Sequence, residues 1–302
     1  MTIAWLQRAI VLGSLLFWWG LSAWAFGNAR GWAALCFAAP VLITPVILGI
    51  QCFWAARVNR SDASIQSASL SQWLFAWQAE CVAAARVFMW WQPFRYAAVA
   101  DDVRQTPGKR GVVLVHGFFC NRALWMDWIG RLQNEQRALV AVDLEPVFGT
   151  ISDYASVIEA AIVKVEQATG LPPLIIGHSM GGLAIRAWAA QFIGKHGAMS
   201  RIHRIITIGT PHQGTAIAVF SHTKNGSEMR QSSSWLEGNA ACLPDNFAKH
   251  CTCYYSHCDN IVFPATTATL PGADNQHIAG HAHVQLIFSK NIQQACLGHL
   301  ET

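Results

Sequence analysis

Charge is scarce in this sequence: Asp, Glu, Lys and Arg make up 13% of its 302 residues, whereas hydrophobic residues make up 53%. With a positive mean hydropathy, this composition is too apolar for an ordinary soluble domain. A strong net charge is also missing. The formal charge of +4 is small and spread along the chain, so it predicts no nucleic-acid partner.

The nine cysteines lack the dense, regular spacing of a disulfide scaffold. Two of them, Cys36 and Cys52, lie inside long apolar runs. Because irregularly spaced thiols in apolar surroundings are typical of reduced proteins, this pattern favours a reducing compartment.

Two uncharged runs open the chain, at 9–29 and 31–56. Each is long enough to cross a hydrocarbon layer of about 30 Å as a helix. The short segment 27–31 between them is a polar turn, so residues 1–56 are predicted to form a two-helix transmembrane hairpin. Tryptophans lie largely toward the ends of the runs, where indoles prefer the membrane interface: Trp18, Trp19, Trp24, Trp32 and Trp54.

A cleavable signal peptide is the alternative for the first run, since Arg8, an apolar stretch and Ala23-Trp24-Ala25 fit that pattern. In both cases the second run leads back inward. Arg8, Arg57 and Arg60 flank the outer ends of the hairpin. Cytoplasmic flanks are enriched in arginine, so we expect a bacterial inner-membrane protein whose remaining chain is cytoplasmic.

Residues 57–108 are predicted to be a linker followed by an amphipathic helix. The stretch 57–71 is rich in Ser, Ala and Asn, which is typical of linkers. Apolar residues then recur three and four apart over 70–94, as in a helix with one apolar face. This face is suited either to the bilayer surface or to packing against the rest of the protein.

Strands and helices alternate over 109–302. Apolar runs predict strands at 111–117, 138–142, 174–176 and 202–208, and another that ends near residue 256, while 152–169 has helical spacing. This alternation predicts an α/β fold with a mainly parallel sheet and helices on both faces. Ligands of such sheets bind beyond the carboxyl ends of the strands.

A nucleophile motif lies at one of these ends. Gly177-His178-Ser179-Met180-Gly181-Gly182 joins an apolar run to an Ala- and Leu-rich helical segment. Gly-X-Ser-X-Gly in this context predicts a sharp strand-to-helix turn that exposes the serine hydroxyl. The glycines are needed because a β-carbon would collide across the turn. Ser179 is therefore the predicted nucleophile.

A serine hydroxyl requires a base and an orienting acid, which follow it in the order acid, then histidine, in this type of sheet. Asp259 lies in a polar loop directly after a predicted strand, and is preferred over Asp245 and Asp274. For the base, His283 directly precedes an apolar helical pattern. His281 is the alternative base.

The predicted oxyanion hole consists of the backbone N–H groups of Met180 and Phe118, which can stabilise a tetrahedral intermediate. His277 is a further candidate base, whereas His116 and His178 flank glycine turns and are expected to serve in loop packing.

Together these motifs resemble α/β-hydrolases of the bacterial lipase and esterase type. The resemblance covers about 109–302 and depends on five segments: Val115-His116-Gly117-Phe118, 177–182, Gly209-Thr210-Pro211-His212-Gln213-Gly214-Thr215, Asp259-Asn260-Ile261-Val262 and Gly280-His281-Ala282-His283. It implies Phe118 as the first oxyanion element and His283 as the base, although Ala282 stands where glycine is usual. It also implies a short cap at about 216–243, with Phe220, Met229, Trp235 and Leu236 beneath it.

The sequence thus predicts a serine hydrolase that cleaves esters of lipids or other membrane-partitioning acyl substrates. Thioester hydrolysis or acyl transfer by the same triad is the alternative, and an inactive membrane-bound binding module is a second one. No cofactor and no metal are expected. The zinc candidates lie in or beside a predicted strand whose alternate residues face opposite ways: His250, Cys251, Cys253, His257 and Cys258.

Overall fold

A computed structural model describes residues 3–28, 30–62, 64–98 and 100–301. Its first two elements are long helices, α1 (Ile3–Asn28) and α2 (Arg30–Asn59), which pack against each other. Both are long and apolar enough to cross a membrane, and most of their side chains are exposed. They fit the predicted hairpin, whose turn includes residue 29, outside the described residues.

Helix α2 extends to Asn59, three residues beyond the predicted apolar run, and it contains Pro40 and Pro45. Asn59 is buried, and its side chain bonds the carbonyl of His257 and the N–H of Ala265. The end of α2 is therefore attached to the second half of the chain.

Helix α3 (Leu70–Ala84) begins at Ser69, whose side chain and that of Gln72 form a capping box. It continues through a π-helical segment, Ala85–Trp91, into the short α4 (Gln92–Phe94). One face is buried against the body at Ala76, Glu80, Ala83, Ala84 and Val87. Large apolar side chains remain exposed elsewhere on it: Leu70, Leu74, Phe75, Val82, Met89 and Trp90. The predicted amphipathic helix thus has both a packed face and an open apolar face.

Six described strands form one parallel sheet in the order β2-β1-β3-β4-β5-β6. Their bounds are β1 (Val112–Val115), β2 (Leu139–Ala141), β3 (Leu174–His178), β4 (Arg204–Ile208), β5 (Cys251–Tyr255) and β6 (Asp274–His277). Strands β1 to β5 contain the apolar runs identified in the sequence. Strand β6 was not predicted, because all four of its residues are polar and exposed.

Helices cover both faces of the sheet: α5 (Met126–Asn134), α6 (Ala155–Thr169), α7 (Met180–Trp188) and α10 (Lys290–Gly298), with α8 (Lys224–Glu228) and α9 (Ser234–Cys242) in the predicted cap. Within β1, Val113 and Val115 join the core beneath α6 and α7, whereas Val112 and Leu114 join the core beneath α5 and α10. This alternation follows from the two-residue period of a strand.

Candidate active site

Ser179 occupies the turn between β3 and α7. Its backbone has φ +55° and ψ −130°, a region that residues other than glycine seldom adopt. Two hydrogen bonds hold the turn: Ser179 N–H donates to the Ile208 carbonyl at 2.9 Å, and the Thr210 hydroxyl donates to the Ser179 carbonyl at 2.9 Å. The surrounding structure thus maintains the strained backbone that the Gly-X-Ser-X-Gly motif predicts.

The glycines of the motif have no room for a side chain. A β-carbon on Gly181 would lie 2.3 Å from the Val115 carbonyl oxygen, and one on Gly177 would lie 2.7 Å from the Ile185 side chain. Both distances are well below van der Waals contact, so glycine is required at each position.

The loop after β1 approaches the same serine. A β-carbon on Gly117 would lie 2.8 Å from the β-carbon of Ser179, so this loop passes directly against it. Phe118 is the next residue, and Met180 is the first residue of α7. The positive end of a helix dipole and the free amides of its first turn favour developing negative charge there. The two predicted oxyanion residues thus lie on the two segments that border Ser179.

The Asp259 carboxylate and the His283 imidazole form a buried pair. His283 Nδ1 lies 2.9 Å from Asp259 Oδ2, and the two residues are only 5% and 1% exposed. Asp259 Oδ1 accepts the backbone N–H groups of Ile261 and Val262, each at 2.8 Å. A carboxylate accepts but does not donate, so Nδ1 carries the proton and Nε2 is left as the basic nitrogen.

The pKa of His283 is raised above that of a free imidazole. Burial by itself lowers it, but the charge and hydrogen bond of Asp259, with a further contribution from the Glu80 charge, outweigh the burial. The neighbouring His178 has the opposite shift, since burial and the charge of His283 hold its pKa well below the ordinary value. His178 therefore stays neutral while His283 is suited to accept a proton.

The Asp259–His283 pair lies at the same edge of the sheet as Ser179. The rings of His178 and His283 are 4.7 Å apart between centroids, and His178 precedes the serine. The β-carbon position of Gly209 is 3.2 Å from both Asp259 Oδ2 and His283 Nδ1, and Gly209 follows the residue that accepts the Ser179 N–H. The Ser179 turn and the Asp259–His283 pair thus follow nearby strands at one edge of the sheet.

The other candidate acids and bases lie elsewhere. His281 Nδ1 is 2.9 Å from the Ala279 carbonyl oxygen of its own loop. His277 belongs to the exposed edge strand β6. Asp274 belongs to the same strand, and Asp245 is an exposed residue that precedes β5.

His116 and His178 have the loop contacts that the sequence suggested. His116 Nε2 accepts the N–H of Leu144 at 3.1 Å, and His178 Nε2 is 3.2 Å from the His283 carbonyl. The cysteines of β5 point into the core, where Cys253 Sγ lies 3.5 Å from His212 Nε2. Within the described ranges, no group of three or more His, Cys, Asp or Glu side chains is placed to hold a metal ion.

The segment 216–243 passes over part of the body. Met229 and Leu236 are buried in the core, and Trp235 packs beside them. Phe220, by contrast, is 69% exposed, and the centroid of its ring lies 5.4 Å from that of Trp54 in α2. The predicted apolar residues therefore divide into three that attach the segment and one at its outer edge.

Sequence reasoning missed the side chains that the first three helices send to the site. Glu80 of α3 is 1% exposed, and its two carboxylate oxygens accept the N–H groups of Val284 and Gln285, each at 2.9 Å. The available signal was that Glu80 is the single acidic residue of the largely apolar stretch 70–94. Nothing in the local sequence shows which loop such a residue will meet.

A family model described as the alpha/beta hydrolase family matches residues 112–255. No curated protein matches the chain. Among solved structures, the mature form of lipase BlEst2 from Bacillus licheniformis is 16% identical with a TM-score of 0.56, over 67% of this chain and 96% of that one. Its propeptide form is 17% identical with a TM-score of 0.52, over 66% of this chain and 52% of that one.

These likenesses establish the fold. The chain has an α/β-hydrolase fold with a parallel sheet, as the sequence predicted, preceded by two long apolar helices that fit a hairpin.

Proposed function

We propose that this chain is a membrane-anchored serine hydrolase that cleaves carboxylic esters, with Ser179, His283 and Asp259 as its triad. The observation that carries the proposal is the buried Asp259–His283 pair at the edge of the sheet where the strained Ser179 turn lies. The match to the alpha/beta hydrolase family and the fold shared with a lipase support it.

In this mechanism the Ser179 hydroxyl attacks the ester carbonyl carbon while its proton passes to His283 Nε2. The carbonyl oxygen becomes an oxyanion that accepts the N–H groups of Met180 and Phe118. His283 then gives the proton to the leaving alcohol, and an acyl-enzyme remains. Water then attacks the acyl carbon as it gives a proton to the same nitrogen. The bond between the acyl carbon and Ser179 Oγ breaks, His283 returns the proton to Oγ, and the carboxylic acid is released.

Asp259 has two roles in these steps. Its hydrogen bond to Nδ1 keeps the proton on that nitrogen, so that Nε2 is free to act as the base. Its negative charge also stabilises the imidazolium that forms during attack. Because the two backbone N–H groups on Oδ1 hold the carboxylate in place, the ring is oriented before the substrate binds.

The substrate class follows from the apolar surroundings. Trp54 of α2 packs against Phe220 and Phe263, so a candidate membrane helix borders both the segment 216–243 and the Asp259 loop. Phe148, whose ring packs against Phe118 and Phe119, and Val219, the residue before Phe220, are also exposed. A surface of this kind favours acyl substrates that partition into membranes, such as lipid esters.

We also propose that α1 and α2 span the membrane and that α1 is retained. The Gln7 side chain of α1 is buried and bonds Gln92 and the Phe119 carbonyl, and Arg8 bonds the Pro93 carbonyl. Cleavage after Ala25 would remove these contacts. With Arg57 in the last turn of α2, the arginine placement favours a cytoplasmic location for the hydrolase body in a bacterial inner membrane. We propose three parts of the chain: a transmembrane hairpin at 1–56, a linker with an amphipathic helix at 57–108, and the catalytic domain at 109–302.

A serine-reactive fluorophosphonate probe tests the enzyme. The wild-type chain in detergent should be labelled, and Ser179→Ala should not. Release from nitrophenyl esters of rising chain length, compared with release from acyl-thioesters, then separates ester from thioester chemistry. Absence of wild-type labelling, or labelling that survives Ser179→Ala, contradicts the proposal.

A further inference from the structure

Each of the first three helices sends a polar side chain to a loop of the candidate site. Gln7 of α1 donates to the Phe119 carbonyl at 3.0 Å, beside the proposed oxyanion residue. Gln51 of α2 accepts the side-chain N–H of Asn260 at 2.9 Å, next to Asp259. Glu80 of α3 binds the two residues that follow His283. The N-terminal part of the chain thus contacts all three loops.

Among the three contacts, that of Glu80 has the largest desolvation cost, because it buries a carboxylate rather than an amide. A carboxylate that is 1% exposed loses nearly all of its hydration, which is costly unless its oxygens are hydrogen-bonded. Both oxygens accept a backbone N–H at 2.9 Å, from Val284 and from Gln285. These amides lie at the start of the helical turn Gln285–Phe288, since Val284 is its N-cap and Gln285 its first residue. Glu80 therefore binds the chain directly behind the imidazole.

We propose that Glu80 is a positioning residue for His283: it fixes the backbone that carries the imidazole and supplies a second buried negative charge beside it. The inference depends on the proposed function, in which His283 is the base. It also gives the N-terminal helices a role beyond attachment, because the site is complete only when α3 is docked.

The charges agree with this role. During attack by Ser179 the imidazole becomes positive, and two carboxylates then stabilise it in place of one. The pKa of His283 is raised by Asp259 and by Glu80 against the effect of burial. Burial raises the pKa of Glu80, whereas the N–H groups of Val284 and Gln285 and the charge of His283 favour its ionised form.

The titratable groups that interact with Glu80 lie on four parts of the chain: His283 and Asp259 in their loops, Cys52 on α2, and Cys81 next to it on α3. Among these groups, only His283 becomes positive on protonation. The removal of the Glu80 charge should therefore lower the proton affinity of His283.

Glu80→Gln tests the proposal in the full-length protein in detergent. A glutamine can accept one of the two N–H groups but presents its own N–H₂ to the other, and it carries no charge. Two measurements are made: hydrogen exchange of the peptide that contains 284 and 285, and the pH dependence of fluorophosphonate labelling. Glu145→Gln, an exposed glutamate on the loop after β2, is the matched control.

Glu80→Gln should speed exchange in this peptide and slow labelling about tenfold near neutral pH. It should also move the acid limb of the labelling profile down by about one pH unit, since His283 then binds a proton less tightly. Glu80→Asp keeps the charge and should retain most of the limb position with a lower rate. A structural role alone would lower the rate without moving the limb.

The exchange measurement does not need an active enzyme. If the wild type is not labelled, the proposed function fails, while exchange still decides whether Glu80 holds the backbone behind His283. Exchange at 284 and 285 that is unchanged in Glu80→Gln overturns the positioning role. An acid limb that does not move in a labelled, folded Glu80→Gln protein overturns it as well.

Discussion

Asp259→Asn isolates the contribution of the orienting acid. In the wild type, Asp259 Oδ1 accepts two backbone N–H groups and Oδ2 accepts the His283 Nδ1 proton. The asparagine oxygen can keep the two backbone bonds, which places its N–H₂ group against His283. A donor then faces Nδ1, so the imidazole proton moves to Nε2, the nitrogen that must accept the Ser179 proton.

The expected loss can be worked out from this change. The wrong tautomer removes the base without removing any binding contact, and such a change costs about 10⁴-fold in turnover, as in serine proteases. At about 1.4 kcal/mol per factor of ten, this is about 5.5 kcal/mol of transition-state stabilisation. Because the backbone bonds on Oδ1 survive, the fold should remain intact.

The assay is turnover of a short-chain nitrophenyl ester, with the rate of fluorophosphonate labelling as a second readout. Asp274→Asn is the matched control, since this aspartate is exposed in β6 and was a competing candidate in the sequence. It should retain near-normal turnover. Near-normal turnover of Asp259→Asn, with the control intact or impaired, would refute the assignment and point to another acid.

Three other outcomes are expected. His283→Ala should abolish probe labelling while His281→Ala retains most of it, because only the former ring contacts Asp259; the reverse result would exchange their roles. Activity should fall as pH drops through the raised pKa of His283, so the half-maximal acid limb should lie above 6.5, and a limb well below that value would contradict the base. Gly181→Ala should destabilise the fold by about 1–3 kcal/mol and abolish activity, since its β-carbon would lie 2.3 Å from the Val115 carbonyl oxygen. Gly238→Ala in α9 is the control, because its β-carbon meets open space. Thermal unfolding of the two variants compares their stabilities.

Features that depend on residues close together in the chain could be predicted from the sequence. Apolar strands β1 to β5, the glycines of the Ser179 turn and the two long uncharged runs each follow from local composition and spacing. Buried parallel strands must be apolar along their length, and few residues other than glycine fit a turn this tight. The α/β-hydrolase fold and the position of the nucleophile motif were therefore predictable.

Strand β6 marks the limit of that reasoning. An exposed edge strand has no buried face, so Asp274–His277 shows no apolar pattern, and only hydrogen bonding to β5 defines it. The segment after His283 was expected to be an apolar helix, but it forms one short turn, Gln285–Phe288, before α10. Its length is set by the elements around it.

The sequence by itself determined strands β1 to β5, the strained serine turn and the two long apolar helices, because each depends on residues close together in the chain. Only the tertiary structure decided which histidine lies against Asp259 and which loops the N-terminal helices meet. Residues 24 apart form the buried Asp259–His283 pair, and residues 204 apart form the contact between Glu80 and Val284. Such contacts arise from the packing of whole elements, and no local pattern specifies them.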